Sequence, residues 1–330
     1  MASTLVTGGT GLVGSHVISR LCTSGHQVRA MVRNNSGAAL VETLGATAFR
    51  GSVEHETSWS AIGDVDAIVH AAALVTQQRS WGSFHAVNVQ GTRNAAQAAA
   101  QRGVRLIHIS SAAVYGRQTQ HRPSVVREDT RWQPLNDTDY YARSKRDAEL
   151  ALRAIAKETG LSWVALRPCV VYGERDRAFM PRVLRALRFG IAPLVGNGNN
   201  ILTVVYASNV AEAVQVALER PKIEGPFNIT NDGEITQREF VAAVGAAMGR
   251  RIRFVRVPVS AATGFALTYY YLQRLLRPGK YPRMGGAAAR FLAAENPYTS
   301  ERARQELKWN PSVPPHEAIM RSVRWFTGDE

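Results

Sequence analysis

The chain has 330 residues, 45% hydrophobic and 20% charged, which excludes intrinsic disorder and leaves core enough for one large domain or two modest ones. Its two cysteines, Cys22 and Cys169, exclude a disulfide framework, and no Cys/His spacing has the form of a zinc site. The net charge of +14 comes almost entirely from arginines scattered along the length without basic runs, which argues for a solvated surface and against a nucleic-acid partner.

Leu5 and Val6 read as a buried parallel strand, and glycines 8, 11 and 14 then make a tight turn into a helix whose apolar face begins with Val13, Val17 and Leu21. Gly8 lets the chain reverse. Gly11 lets the backbone approach a pyrophosphate at the positive end of the helix, and Gly14 lets that helix pack closely on the sheet. The spacing is Gly-x-x-Gly-x-x-Gly, not the Gly-x-Gly-x-x-Gly of the dinucleotide fingerprint, so the argument rests on its place between a strand and an amphipathic helix.

Gln27 to Arg33 is the second predicted strand, followed by a turn at residues 34–37. In a dinucleotide fold the end of this strand meets the adenosine ribose. No acid occurs there until Glu42; Val32 is followed by Arg33, and a guanidinium suits a 2′-phosphate better than a bare ribose. NADP(H) is therefore expected ahead of NAD(H), on Arg33 with Asn34 as a helper; the alternative is a surface arginine at a strand end. A helix over 38–44 and a strand over 46–50 lead to Ser52 and Val53, expected beside the adenine.

Residues 66–73 form a fourth predicted strand ending in Ala71, Ala72 and Ala73, whose small side chains leave room for phosphates and ribose. His70 reads as a satisfied core histidine. One long helix is predicted from Trp81 to Gln101, containing Asn88, which either holds the backbone around a site or is purely structural. Leu106 to Ser111 is the fifth strand. This alternation predicts an α/β fold, a Rossmann-type doubly wound parallel sheet with ligands at the carboxyl ends of its strands.

A polar loop over 116–136, with Pro123 and Pro134, precedes a helical stretch from Asp139 to Glu149. Tyr141 and Lys145 are four residues apart and share a face. A free tyrosine titrates near pH ~10, and a neighbouring ammonium is expected to lower that value toward neutrality. With Ser111 at the end of the fifth strand, the three groups suit carbonyl reduction or alcohol oxidation. Tyr141 transfers the proton, Ser111 orients the oxygen, and Lys145 also holds a nicotinamide ribose.

The chain resembles the extended short-chain dehydrogenase/reductase family. The matching motifs are Thr7-Gly8-x-x-Gly11-x-x-Gly14, Ala71–Ala73, Asn88-Val89-x-Gly91-Thr92, the Ser111 strand end, Tyr141-x-x-x-Lys145 and Arg167-Pro168-x-x-Val171-Tyr172-Gly173. The resemblance implies cofactor contacts from Gly8, Thr10, Gly11, Leu12, Val13, Gly14, Ala71, Ala72, Ala73, Asn88 and Ile109, with Pro168 and Val171 lining the carboxamide. Tyr115, Tyr140 and Tyr172 are expected as packing or substrate-wall residues. It also implies a discontinuous division: residues 1–173 and about 202–232 bind the dinucleotide, while about 174–201 and 233–330 form a smaller, mostly helical substrate domain.

Relatives acting on nucleotide sugars usually carry an arginine where this chain has Leu202, and Asp-Val-Ala where it has Asn209-Val210-Ala211. These departures resemble the branch of 3β-hydroxysteroid dehydrogenases and 3-oxoalkanoate reductases. Residues 259–276, rich in aromatic and aliphatic side chains and followed by Arg277, Lys280 and Arg283, read as a packed helix, a lid over an apolar pocket, or a peripheral membrane contact. Residues 301–309, with Pro311 and Pro314, read as a structural tail. The expectation is an NADPH-dependent ketoreductase of a hydrophobic small molecule. A nucleotide-sugar epimerase or dehydratase with retained NAD(P) and a non-catalytic NADP(H)-binding regulator are the alternatives. With no signal-peptide pattern and no apolar run of membrane-spanning length, a cytoplasmic location is expected, and a homodimer is compatible with the family.

Overall fold

Short apolar runs become parallel strands, and the amphipathic stretches between them become the helices that cover both sheet faces. The computed structural model describes residues 2–75, 80–116, 125–230, 234–276, 291 and 294–328. The predicted loop positions 117–124, the cations Arg277, Lys280 and Arg283, and the side chains of Ala266, Leu267, Tyr270, Tyr271 and Leu275 lie outside the described residues.

The strands are β1 (Ser3–Thr7), β2 (Gln27–Val32), β3 (Thr47–Arg50), β4 (Ala67–His70), β5 (Arg105–Ile109), β6 (Trp163–Pro168), β7 (Val170–Tyr172), β8 (Ile191–Val195), β9 (Val204–Tyr206), β10 (Gly225–Ile229) and β11 (Arg253–Val257). Seven of them form one parallel sheet in the order β10-β6-β5-β4-β1-β2-β3. The order reverses between β1 and β4, which opens a crevice at their carboxyl ends. The remaining four make two small parallel pairs, β7 with β9 and β8 with β11.

On one face, α1 (Leu12–Thr23) and α8 (Ala207–Glu219) bury Val17, Ile18, Leu21, Val210 and Val214 against Val6, Ile107 and Leu166. On the other, α5 (Gly91–Arg102) and α6 (Tyr140–Thr159) bury Ala95, Ala99, Leu152 and Ile155 against Leu5, Ile68 and Leu106. Residues alternating along each strand feed the two cores in turn, as the pleat requires. A third core forms around Tyr172, Leu202, Tyr206 and Phe240, from α7 (Phe179–Leu187), α9 (Gln237–Ala247) and α11 (Pro315–Thr327). Ala303, Leu307 and Trp309, far along the chain, return to the first core beside α8.

Two local predictions are corrected. Residues 34–37 are not a free turn: the Asn34 carboxamide accepts from the Gly37 N–H and caps α2 (Asn35–Thr43), so helix starts three residues earlier than apolar spacing suggested. The long helix over 81–101 is interrupted. A turn of α4 (Trp81–Phe84) passes through a π-helical segment, His85–Gln90, before α5 resumes at Gly91, and π segments commonly re-aim one side chain at a site. α3 (Glu56–Ser60), α10 (Val259–Leu276) and a 3₁₀ turn at Ala112–Tyr115 complete the elements used below.

Candidate active site

The glycine turn sits at the switch point. Gly8 has φ +71°, and a Cβ there would lie 2.6 Å from the Ala72 nitrogen, so the turn and the segment after β4 meet backbone to backbone. A Cβ at Gly14 would lie 2.2 Å from the Gly8 carbonyl oxygen. The tight packing that Gly14 permits is therefore against the turn itself and not, as predicted, against the sheet. Gly11 caps α1 without a side-chain hydrogen bond, and no acid occupies the first turn around Leu12 and Val13. First-turn N–H groups are left to face an anion at the positive helix end, which fits a pyrophosphate. Thr10 lies on the turn, and Arg177 reaches its carbonyl at 3.4 Å.

At the adenosine end, Arg33 is exposed beyond β2 and makes no ion pair among the described residues. The Asn34 oxygen is committed to the α2 cap and also accepts from Ser36, so it is no free helper. Arg50, which sequence reasoning passed over, stands opposite Val32 at the end of β3 and donates to Asn35. Ser52 and Val53 follow β3 directly; Val53 is buried, and its carbonyl accepts from Trp59 and Asn94.

Ala71, Ala72 and Ala73 lie just beyond β4 rather than inside it. Asn88, on the π segment, accepts from the Leu74 N–H at 2.7 Å and donates to the Leu74 carbonyl at 3.0 Å and to the Ser144 hydroxyl at 2.8 Å. Of the two readings left open by the sequence, geometry favours the positional one. Asn88 ties the segment after the alanines to α6, one residue from Lys145, and both its amide hydrogens are taken.

Ser111, Tyr141 and Lys145 converge at the carboxyl end of β5. Ser111 caps the 3₁₀ turn by accepting from the Ala113 N–H at 3.2 Å, and its hydroxyl lies close enough to Tyr141 to act on the phenol. Lys145 is 2% exposed and donates to the Ile109 carbonyl at 2.7 Å. The electrostatics differ from expectation. Burial raises the Tyr141 phenol above its ordinary value, with Ser111 as the opposing influence, and Lys145 does not pull it down. Burial also lowers the Lys145 ammonium to about 8, against the attraction of Glu149. Pro168 ends β6 and is buried; Val171, on β7, is half-buried.

Glu149 and Arg167 were quoted from the sequence without a role. Both are fully buried, and the Arg167 fork meets Glu149 through Nε at 2.9 Å and an amino nitrogen at 2.7 Å. Ser110 donates to the same carboxylate, and Arg167 also donates to the Tyr115 hydroxyl at 2.7 Å, which itself donates to Asn228. The pair bolts the Tyr141–Lys145–Glu149 face of α6 to β5 and β6, immediately beside Ser111. The one sequence signal was spacing: Glu149 follows Lys145 by four residues, as Lys145 follows Tyr141.

Beneath Lys145, His70 and His108 are cross-strand neighbours whose rings stack with centroids 5.6 Å apart. His70 Nδ1 pairs with the Thr7 hydroxyl at 2.9 Å, but His70 Nε2 and both His108 nitrogens have no partner among the described residues. His70 is therefore only half satisfied, contrary to prediction. Burial, with the Lys145 charge, lowers His70 to about 3 and His108 well below its ordinary range, so both are neutral at pH 7.

Beside Tyr141 a cleft of about 120 Å³ is lined by Phe84 and residues 138–142. Trp81 and Phe84 pack on Tyr140 at 6.1 and 6.3 Å, and the Arg143 guanidinium lies 4.2 Å over the Trp81 ring. Tyr140 thus stands in an aromatic wall whose other members the sequence did not flag. Tyr115 and Tyr172 are buried packing residues. Leu202 is 2% exposed within the third core. Asn209 donates to the Val313 carbonyl and accepts from the Val313 N–H, a two-way bond that an aspartate in its place cannot make.

Comparison with known proteins places these features in context. Residues 4–231 match the sequence model of the NAD dependent epimerase/dehydratase family. The chain is 30% identical to the 4-hydroxy-2-methyl-3-oxo-4-farnesyl-3,4-dihydroquinoline-1-oxide ketoreductase of Stigmatella aurantiaca, over 92% of this chain and 90% of that one. It is also 30% identical to the 2-alkyl-3-oxoalkanoate reductase of Stenotrophomonas maltophilia (strain K279a), over 96% and 97% of the two chains. Among solved structures, UDP-glucose 4-epimerase of Thermotoga maritima, determined with UDP-glucose, superposes with TM-score 0.74 at 23% identity over 99% of each chain, a likeness of fold.

Proposed function

Since the chain belongs to the NAD dependent epimerase/dehydratase family, whose members act with NAD(P) at hydroxyl and carbonyl carbons, we propose that it is an NADPH-dependent ketoreductase, or the reverse alcohol dehydrogenase, of a hydrophobic substrate. The observation that carries the reading is the gathering of Ser111 and Tyr141 at the end of β5, with Lys145 one helical turn from Tyr141 and held there by the Ile109 carbonyl.

When bound, the reduced nicotinamide supplies the hydride. Ser111 holds the carbonyl oxygen, and Tyr141 donates its phenolic proton to that oxygen as negative charge develops. The raised pKa of Tyr141 keeps the phenol protonated at neutral pH, which is the form a reductase needs at the start of turnover. Lys145, held by the Ile109 carbonyl, would hold the nicotinamide ribose when the cofactor is bound. The uncapped start of α1 takes the pyrophosphate, and Arg33, with Arg50 beside it, takes the 2′-phosphate.

Two features favour a hydrophobic carbonyl over a nucleotide sugar. Leu202 is buried in an apolar core where nucleotide-sugar relatives carry a cation, so no guanidinium waits there for a diphosphate. The wall of Trp81, Phe84 and Tyr140 next to Tyr141 suits an alkyl or polycyclic body. The names of the two relatives, a ketoreductase and an oxoalkanoate reductase, agree with this choice. The parts about 174–201 and 233–330 are assigned to substrate selection.

The test is steady-state NADPH oxidation across 3-oxoacyl esters, steroid ketones and UDP-glucose. A ketoreductase consumes NADPH with the apolar ketones. An epimerase copurifies with oxidised cofactor, converts the sugar nucleotide and shows no net consumption. A regulator binds NADPH and turns nothing over. Either of the last two results replaces the proposal.

A further inference from the structure

Counted as cations alone, the arginines are spread along the chain; counted with the acids, they are not. Between Glu239 and Glu295 there is no aspartate or glutamate, while Arg250, Arg251, Arg253, Arg256, Arg274, Arg277, Lys280, Arg283 and Arg290 put nine of the chain's net +14 charges into this one segment. Arg250, Arg251, Arg253 and Arg256 are exposed and have no carboxylate partner among the described residues.

The same segment exposes apolar side chains. Phe265 is 70% exposed, Leu272 49% and Leu276 69%, and with Tyr269, whose ring stacks on Phe265 at 6.2 Å, they fall at i, i+4, i+7 and i+11 of α10. That spacing makes one stripe down the helix. The strand just before it is built alike: Arg253 and Val255 share a face of β11, and Ile191 and Pro193 on β8 stand opposite them, all four exposed. No described helix is long and apolar enough to cross a membrane.

We propose that β11 and α10 form a docking surface for an anionic lipid bilayer, with the α10 stripe lying in the interface and the arginines on the phosphates. Charge chooses among the occupants. A second copy packed through this segment would set its cations against one another, and the segment itself supplies no carboxylate to lie between them. A nucleic acid would satisfy the arginines but leave Phe265, Leu272 and Leu276 in water. An anionic bilayer supplies both a negative surface and an apolar layer within one side chain's reach. The inference stands apart from the carbonyl chemistry, because its readout is binding and not turnover.

Flotation of the full chain with phosphatidylcholine vesicles, with and without about 30 mol % phosphatidylglycerol, tests it. Partition onto the anionic vesicles is expected to be stronger by about tenfold or more and to fall with added salt. The variant carrying Phe265→Gln, Leu272→Gln and Leu276→Gln should lose that partition, and Leu150→Gln, an exposed leucine on α6, should keep it. If thermal melting shows that the triple variant does not fold, the variant carrying Arg250→Gln, Arg251→Gln, Arg253→Gln and Arg256→Gln decides instead: its preference for the anionic vesicles should fall several-fold, and an unchanged preference overturns the proposal. Three further results overturn it: no preference for the anionic vesicles, a folded triple variant that floats like the parent, or a dimer in sedimentation that the triple variant breaks.

Discussion

Helices α6 and α10 are nearly equal in length, 20 and 18 residues, and each carries adjacent tyrosines, yet they end in opposite environments. The polar face of α6 is pressed onto β5 and β6, where Ser144, Lys145 and Glu149 are buried and each has a protein partner. α10 turns Phe265, Leu272 and Leu276 outward. Tyrosine content and helical period are shared by both. What distinguishes a site is that buried polar groups must be satisfied, and the network that satisfies them fixes the geometry.

The largest test of that contrast is Tyr141→Phe. Turnover should fall by roughly 10²–10⁴-fold while NADPH affinity stays within a few fold, measured by steady-state kinetics and cofactor titration. A variant that keeps its activity removes Tyr141 as the proton donor. Next is Glu149→Gln, which strands the Arg167 charge in the interior. It should cost about 3–5 kcal/mol in urea unfolding, whereas Glu317→Gln, breaking the half-exposed pair with Arg321 on α11, should cost less than about 1 kcal/mol.

Acid sensitivity sharpens the comparison from below. The folded pKa values of His70 and His108 lie under the unfolded value of 6.5. As pH falls from 6.5 toward 3, the unfolded chain takes up a proton that folded His70 refuses, so stability falls by about 1.4 kcal/mol per pH unit from His70, and His108 adds a loss in the same direction. Above 6.5 both states hold these rings neutral and the dependence vanishes. His108→Leu should flatten the acid limb and leave stability at pH 7 unchanged or slightly higher, because two unpaired ring nitrogens disappear. Unfolding curves at several pH values read this directly.

Arg33→Ala should weaken NADPH about tenfold more than NADH, by fluorescence titration, and equal losses count against a phosphate contact. The smallest effect belongs to α10. Leu272→Gln should move stability by no more than about 0.5 kcal/mol, since the side chain is half exposed already. A larger loss would mean that α10 is packed after all, and the contrast between the two helices would fail.

The strand and helix alternation was legible because each buried parallel strand is an apolar run and each connection must cross over as a helix. Boundaries failed where one side chain rewrote the backbone. Asn34 capped a helix where a turn was expected, and the π segment around Asn88 depends on Leu74 and Ser144, which no window of sequence brings together. The meeting of Ser111, Tyr141 and Lys145 followed from motif spacing. Their electrostatics did not, because desolvation is set by what lies on every side of a group and not by its neighbour four residues along. The Glu149–Arg167 bolt was hidden for the same reason: its partners come from α6 and β6 and meet only when the helix is laid on the sheet.

The Asn209 clasp has a practical meaning for anyone shortening the gene. Through Val313, and through the Trp309 indole that donates to the Asn209 carbonyl at 3.0 Å, the final stretch is stitched into the centre of the protein. Trimming from residue 300 onward would strip Trp309 from one interior and Ile319 and Val323 from another, so a stop codon there should yield inclusion bodies instead of a minimal enzyme.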